Sequence, residues 1–166
     1  ILPSLFAVLM HEFGHLFAMW LLDSSPKQIK LIPASVQISA PITSLYKNDI
    51  IIALMGPLVN IVLFIVLYIN FLAFKIEWVL NCALINLLIA LFNLLPVSGL
   101  DGGTILFSLI AKNYDYNKAC LSLKIITLTV AIAIIIAAVT LTFRGAFNIS
   151  LYIIGIYLGI LTILKM

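Results

Sequence analysis

Five apolar segments, at about 1–22, 50–74, 78–111, 119–142 and 147–165, take up most of this sequence. A helix needs about 20 apolar residues to cross the hydrocarbon core of a bilayer. In lipid, each backbone N–H and C=O must find its partner inside the protein. Runs of this length therefore fold as spanning helices or not at all. Of the 166 residues, 64% are hydrophobic and 9% charged, against about 25% charged in soluble domains. The expected fold is an all-α polytopic membrane protein with about five transmembrane helices. The third segment is too long for one plain span, and Pro96 and Gly99 interrupt it. A span up to about Leu95 is expected, then a turn, then a second helical piece from about Asp101.

The connections carry the remaining signals. Residues 23–49 hold three prolines and alternate over Gln28–Ile32 and Val36–Ile38. That pattern reads equally as a short edge strand or hairpin and as a plain loop. Lys27, Lys30 and Lys47 lie in this connection, and Lys112, Lys118 and Lys124 in or near the third; the second and fourth have only Lys75 and Arg144. By the positive-inside rule the first and third connections, and the C-terminus with Lys165, face the cytoplasm. Residue 1 then starts outside. It is an isoleucine, so one further helix is expected ahead of it. The whole of 1–166 reads as one membrane domain, with its core at about 1–111 and additional helices at about 119–166. No basic run interleaved with aromatics suggests nucleic acid. Cys82 and Cys120 are far apart and read as inert free thiols.

Within the first segment stands His11-Glu12-Phe13-Gly14-His15. Ionisable residues inside a span are rare, costly and usually functional. Residues four apart share one helix face, so two imidazoles can grip one metal ion, with Glu12 beside them as a base for water. This is the HExxH logic of zinc hydrolases. A pair of histidines bonding between helices is the bland alternative. A catalytic zinc takes three protein ligands and leaves a position open. The sequence has only these two histidines, so the third ligand must be a carboxylate. Asp23, Asp49 and Asp115 lie in polar connections, which leaves Glu77 and Asp101. Glu77 precedes Trp78 at a helix end expected to face outside. Asp101 alone would read as a helix cap. It sits, however, among Asn93, Pro96, Gly99, Gly102 and Gly103, an irregular polar stretch at membrane depth, tolerated only inside protein or along a wet cavity.

With those residues the sequence resembles the site-2 protease family of intramembrane zinc metalloproteases, peptidase family M50. HEFGH fits the family's HExxH, Asn93–Gly102 fits its NxxPxxxxDG pattern, and Gly56-Pro57-Leu58-Val59-Asn60 fits the glycine-bearing motif of the intervening helix. The resemblance covers about residues 4–110 and is best to the compact bacterial branch with sporulation-type members. It implies that His11, His15 and Asp101 bind one zinc ion per chain and that Glu12 activates water for attack on a peptide carbonyl. Asn93 and Asn60 would hydrogen-bond the substrate or its oxyanion, although an asparagine in a span also commonly bonds a neighbouring helix. Gly56 and Pro57 would allow close packing or a bend. Short strands in the 23–49 connection would pair with an extended substrate segment.

The implied activity is zinc endopeptidase cleavage of a membrane-anchored regulatory protein, such as a transcription-factor or sigma-factor precursor. The setting would be a bacterial cell membrane, with the site toward the cytoplasm. A regulatory membrane partner or a homo-oligomer is compatible with this. Two other readings stand beside it: an HExxH protease with Glu77 as third ligand, and an inactive zinc-binding scaffold. A transporter would favour two matching halves, and no internal repeat is present.

Overall fold

The apolar segments fold as helices, and the break within the third follows from Pro96 and Gly99. In order they are α1 (Leu2–Leu21), α2 (Tyr46–Phe74), α3 (Glu77–Asn93), α4 (Asp101–Asn113), α5 (Tyr116–Phe143) and α6 (Ile149–Leu164). The computed structural model describes residues 2–24, 29–32, 35–38, 46–145 and 147–164. Among these, α1, α2 and α5 are long and apolar enough to cross a membrane; α3 and most of α6 are shorter apolar helices. The long third segment divides where expected, with residues 94–100 between α3 and α4. In the 23–49 connection, β1 (Ile29–Ile32) and β2 (Ser35–Ile38) pair antiparallel, Ile29 opposite Ile38 and Ile32 opposite Ser35. The turn between them at 33–34 and the flanks at 25–28 and 39–45, on which the expected hairpin depends as a unit, lie outside the described residues.

The helix packing reverses the pattern of a soluble protein. On α1 the buried face is Ala7, His11, Gly14, His15 and Ala18, spaced for one side of a helix. Leu2, Phe6, Leu9, Phe13 and Trp20 are exposed. In lipid, large apolar side chains gain nothing by hiding, so helices meet through small residues and hydrogen bonds. α2 is the hub, packing against α1, α3 and α4, while α5 packs against α4 and α6. At Gly14, an added Cβ would lie 2.6 Å from the Met55 carbonyl oxygen and 3.0 Å from Val59 Cγ2. The α1–α2 contact is therefore set by the absence of a side chain there.

Residues 94–100 are fixed from both sides. Gly99 has φ +96°, a left-handed conformation that glycine adopts without strain. It turns the chain into α4. Val97 is fully buried against Ala131 of α5 and Leu158 of α6. The Ser98 N–H donates to Thr127 Oγ1 at 2.9 Å, and that hydroxyl donates to Leu123 O. The first turn of α4 lies against the same segment: a Cβ on Gly102 would overlap the Leu94 and Leu95 carbonyls.

Gly14→Leu should therefore force α1 off α2 and lower stability by about 1–3 kcal/mol, as overpacking does. Leu16→Val on the exposed face should change it by less than about 0.5 kcal/mol. Thermal unfolding of both variants in detergent checks the contrast.

Candidate metal centre

The inward face of α1 and the first residue of α4 meet at one point. His11 Nε2 and His15 Nε2 are 3.2 Å apart. Asp101 Oδ2 lies 3.0 Å from the first and 3.3 Å from the second. Among the described residues these three are the group of histidine, cysteine and acidic side chains placed to hold a metal ion. Asp101 is not spent as a helix cap. Leu100 holds the cap position and no side-chain cap bond forms, so the carboxylate is left to the imidazoles.

The spacing fits zinc. Ligand distances of about 2.0–2.1 Å in a tetrahedron put neighbouring donor atoms about 3.3 Å apart. The three edges here, 3.0, 3.2 and 3.3 Å, form one face of such a tetrahedron. Two imidazole nitrogens and a carboxylate oxygen are also the donor set of several catalytic zinc sites.

Both rings are held from behind by their other nitrogen. His15 Nδ1 donates to the Ile52 carbonyl oxygen at 2.8 Å. A carbonyl can only accept, so Nδ1 carries the proton and Nε2 of the neutral ring keeps its lone pair. His11 Nδ1 lies 2.8 Å from Asn60 Oδ1. Gly56 supplies the room: a Cβ there would overlap His15 Nε2 and lie 2.9 Å from His11 Nε2. Close approach, one of the two roles expected of Gly56, is thus its role in the structure.

Glu12 is half-buried next to His11. A cavity of about 540 Å³ opens beside both, walled by Val8, Phe92 and Leu100 and by Asn93. Asn93 donates one amide hydrogen to Ile89 O at 3.0 Å, and an amide nitrogen has a second to give. Asn60 lies elsewhere. It is fully buried on the far side of the His11 ring, with its Nδ2 donating to Ala7 O and Asn86 Oδ1. All its polar atoms are taken, so the expected contact with substrate or oxyanion is not available to it. Its alternative role, bonding neighbouring helices, is what the structure contains. Glu77 is exposed at the first turn of α3. It precedes Asn86 by nine residues, about 13 Å along the helix, and is not in the metal-ligating group.

Sequence reasoning missed two partners. Asn86 could have been noticed as a second buried amide in an apolar run. The Ile52 carbonyl is backbone and leaves no sequence signal.

The sequence model of peptidase family M50 matches residues 75–138. A zinc metalloprotease of Methanocaldococcus jannaschii is 31% identical over 119 residues, 68% of this chain and 34% of that protein. The chain therefore spans about a third of the length of this curated relative. A solved structure described as a site-2 protease from the same organism superposes with a TM-score of 0.73 at 25% identity, covering 97% of this chain and 74% of that one.

Asp101→Asn should reduce bound zinc to a small fraction of the native amount, whereas Glu77→Gln should leave it unchanged. Gly56→Ala should behave like Asp101→Asn, because the methyl group takes the space of the ligating nitrogens. Metal analysis of each purified protein decides.

Proposed function

Because the chain belongs to peptidase family M50, the family of the site-2 proteases, we propose that it is an intramembrane zinc endopeptidase acting on a membrane-anchored regulatory protein. The observation that carries this reading is the His11–His15–Asp101 triangle beside a cavity that also holds Glu12. One zinc ion per chain would be held by these three side chains. When bound, zinc supplies a Lewis acid that polarises the scissile carbonyl and makes water easier to deprotonate. A purely structural site would need no neighbouring base, and Glu12 is one.

The chain's own groups divide the remaining work. Glu12 takes a proton from water and returns it to the departing amine nitrogen, so one carboxylate serves as base and then as acid. Asn93 offers its second amide hydrogen to the substrate carbonyl as negative charge develops there. Val8, Phe92 and Leu100 give the cavity an apolar wall, which suits a substrate segment that arrives from within the bilayer. That segment must be extended, because a peptide bond inside a helix is shielded. The free edge of the β1–β2 pair would hold it by strand addition.

Five membrane-crossing segments are proposed, with α3 leading into the re-entering turn at 94–100 and α4. A site toward the cytoplasmic side of a bacterial cell membrane is proposed, and the lysine-rich connections support it. A sigma-factor or transcription-factor precursor anchored in that membrane is the class of substrate proposed. A gating membrane partner or self-association is compatible with the exposed apolar faces.

Glu12→Gln should keep its zinc and lose at least about 10²-fold in cleavage, the usual lower bound for removing a general base. The measurement is cleavage of a membrane-anchored model substrate in detergent, with zinc content determined in parallel. Equal cleavage by the variant would remove Glu12 from its role. Absence of zinc from the native protein would remove the metalloprotease reading.

A further inference from the structure

The buried amides behind His11 form a chain of hydrogen bonds with a fixed direction. Asn86 Nδ2 donates to Cys82 O at 2.9 Å, so its Oδ1 is the atom turned toward α2. Asn60 Nδ2 donates to that oxygen at 2.9 Å and to Ala7 O at 3.0 Å. Both partners can only accept. Asn60 must therefore present nitrogen to them and oxygen to His11, whose Nδ1 is 2.8 Å away. Reversing the Asn60 amide would set oxygen against oxygen at two points in a site with no water access, since Asn60 is 0% and Asn86 3% exposed.

We propose that Asn60, oriented by Asn86 and the Ala7 carbonyl, is a positioning residue that holds the His11 proton on Nδ1 and so keeps Nε2 available as a metal ligand. The proposal rests on the zinc reading above. A second hydrogen bond that fixes the tautomer and ring angle is general in histidine metal sites, and its loss typically costs 10–100-fold in metal affinity. Here the acceptor is a neutral amide rather than a carboxylate. A neutral acceptor avoids burying a further charge between α1, α2 and α3, where an unpaired one would be costly. The relay also ties the ligand on α1 to α3, the helix that carries Asn93 and leads to Asp101.

Zinc affinity, measured by competition with a chelator in the full chain carrying Glu12→Gln, tests this in three proteins. Asn60→Leu removes the acceptor and should bind zinc 10–100-fold more weakly. Asn86→Leu keeps the Asn60 oxygen for His11 but removes one of the two acceptors that orient it, and should weaken binding by a few-fold. Nitrogen-15 NMR of the ring nitrogens in the zinc-free proteins, whose sequence has two histidines, reads the tautomer separately from stability. The His11 proton should lie on Nδ1 in the Asn60 protein and shift in part to Nε2 in both variants, while that of His15, held by Ile52, stays in place. If Asn60 served only to join helices, the variants would lose thermal stability with the His11 tautomer unchanged. Failure of Asn60→Leu to fold is covered by Asn86→Leu. Equal zinc affinity of the folded variants and the Asn60 protein, or an unchanged His11 tautomer, would overturn the proposal. A native chain that binds no zinc would instead overturn the metal reading beneath it.

Discussion

Two imidazoles and a carboxylate converge within 3.3 Å inside a helix bundle whose outward side chains are leucine, isoleucine and phenylalanine. Much of the core arrangement serves to make that convergence tolerable. Polar groups at membrane depth are costly unless each finds a partner. Here each does: no buried side-chain nitrogen or oxygen among the described residues lacks a hydrogen bond. His15 turns to the Ile52 carbonyl, His11 to Asn60, and Asn60 to Ala7 and Asn86. These bonds run between α1, α2 and α3. The polar network that supports His11 and His15 is thus also what joins the helices.

Close packing is the second condition. Gly14 brings α1 onto α2, Gly56 opens the space occupied by the imidazoles, and Gly102 lays the first turn of α4 against residues 94–95. The Asp101 carboxylate on α4 reaches α1 because the chain breaks at 94–100 and turns at Gly99. That break is held by Val97 against α5 and α6 and by the Ser98 bond to Thr127. The outer helix pair thereby supports the position of Asp101 without containing it.

Much of this was legible in the sequence because polar residues stand out in apolar segments. His11, Glu12, His15 and Asp101 were identifiable for that reason, and the break after α3 followed from Pro96 and Gly99. Helix starts were less legible. α2 already includes Tyr46–Asp49, ahead of the apolar run at 50, because Tyr-Lys-Asn-Asp is helical without being apolar. Which of its two readings applies to Asn60 could not be settled from sequence. Whether its amide faces a cavity or the back of an imidazole depends on the rotation of α2 against α1, and a motif does not encode that angle. Asn86 is an asparagine in an apolar helix, and sequence alone cannot separate a ligand-supporting amide from one that simply joins two helices.

The central claim is that the three side chains form a single histidine- and carboxylate-lined zinc site. X-ray absorption at the zinc edge of the purified, zinc-loaded protein tests it most directly. The account predicts nitrogen and oxygen neighbours at about 2.0–2.1 Å, with the scattering signature of two imidazoles and no sulfur. A sulfur neighbour at about 2.3 Å, the zinc–thiolate distance, or fewer than two imidazoles would contradict it.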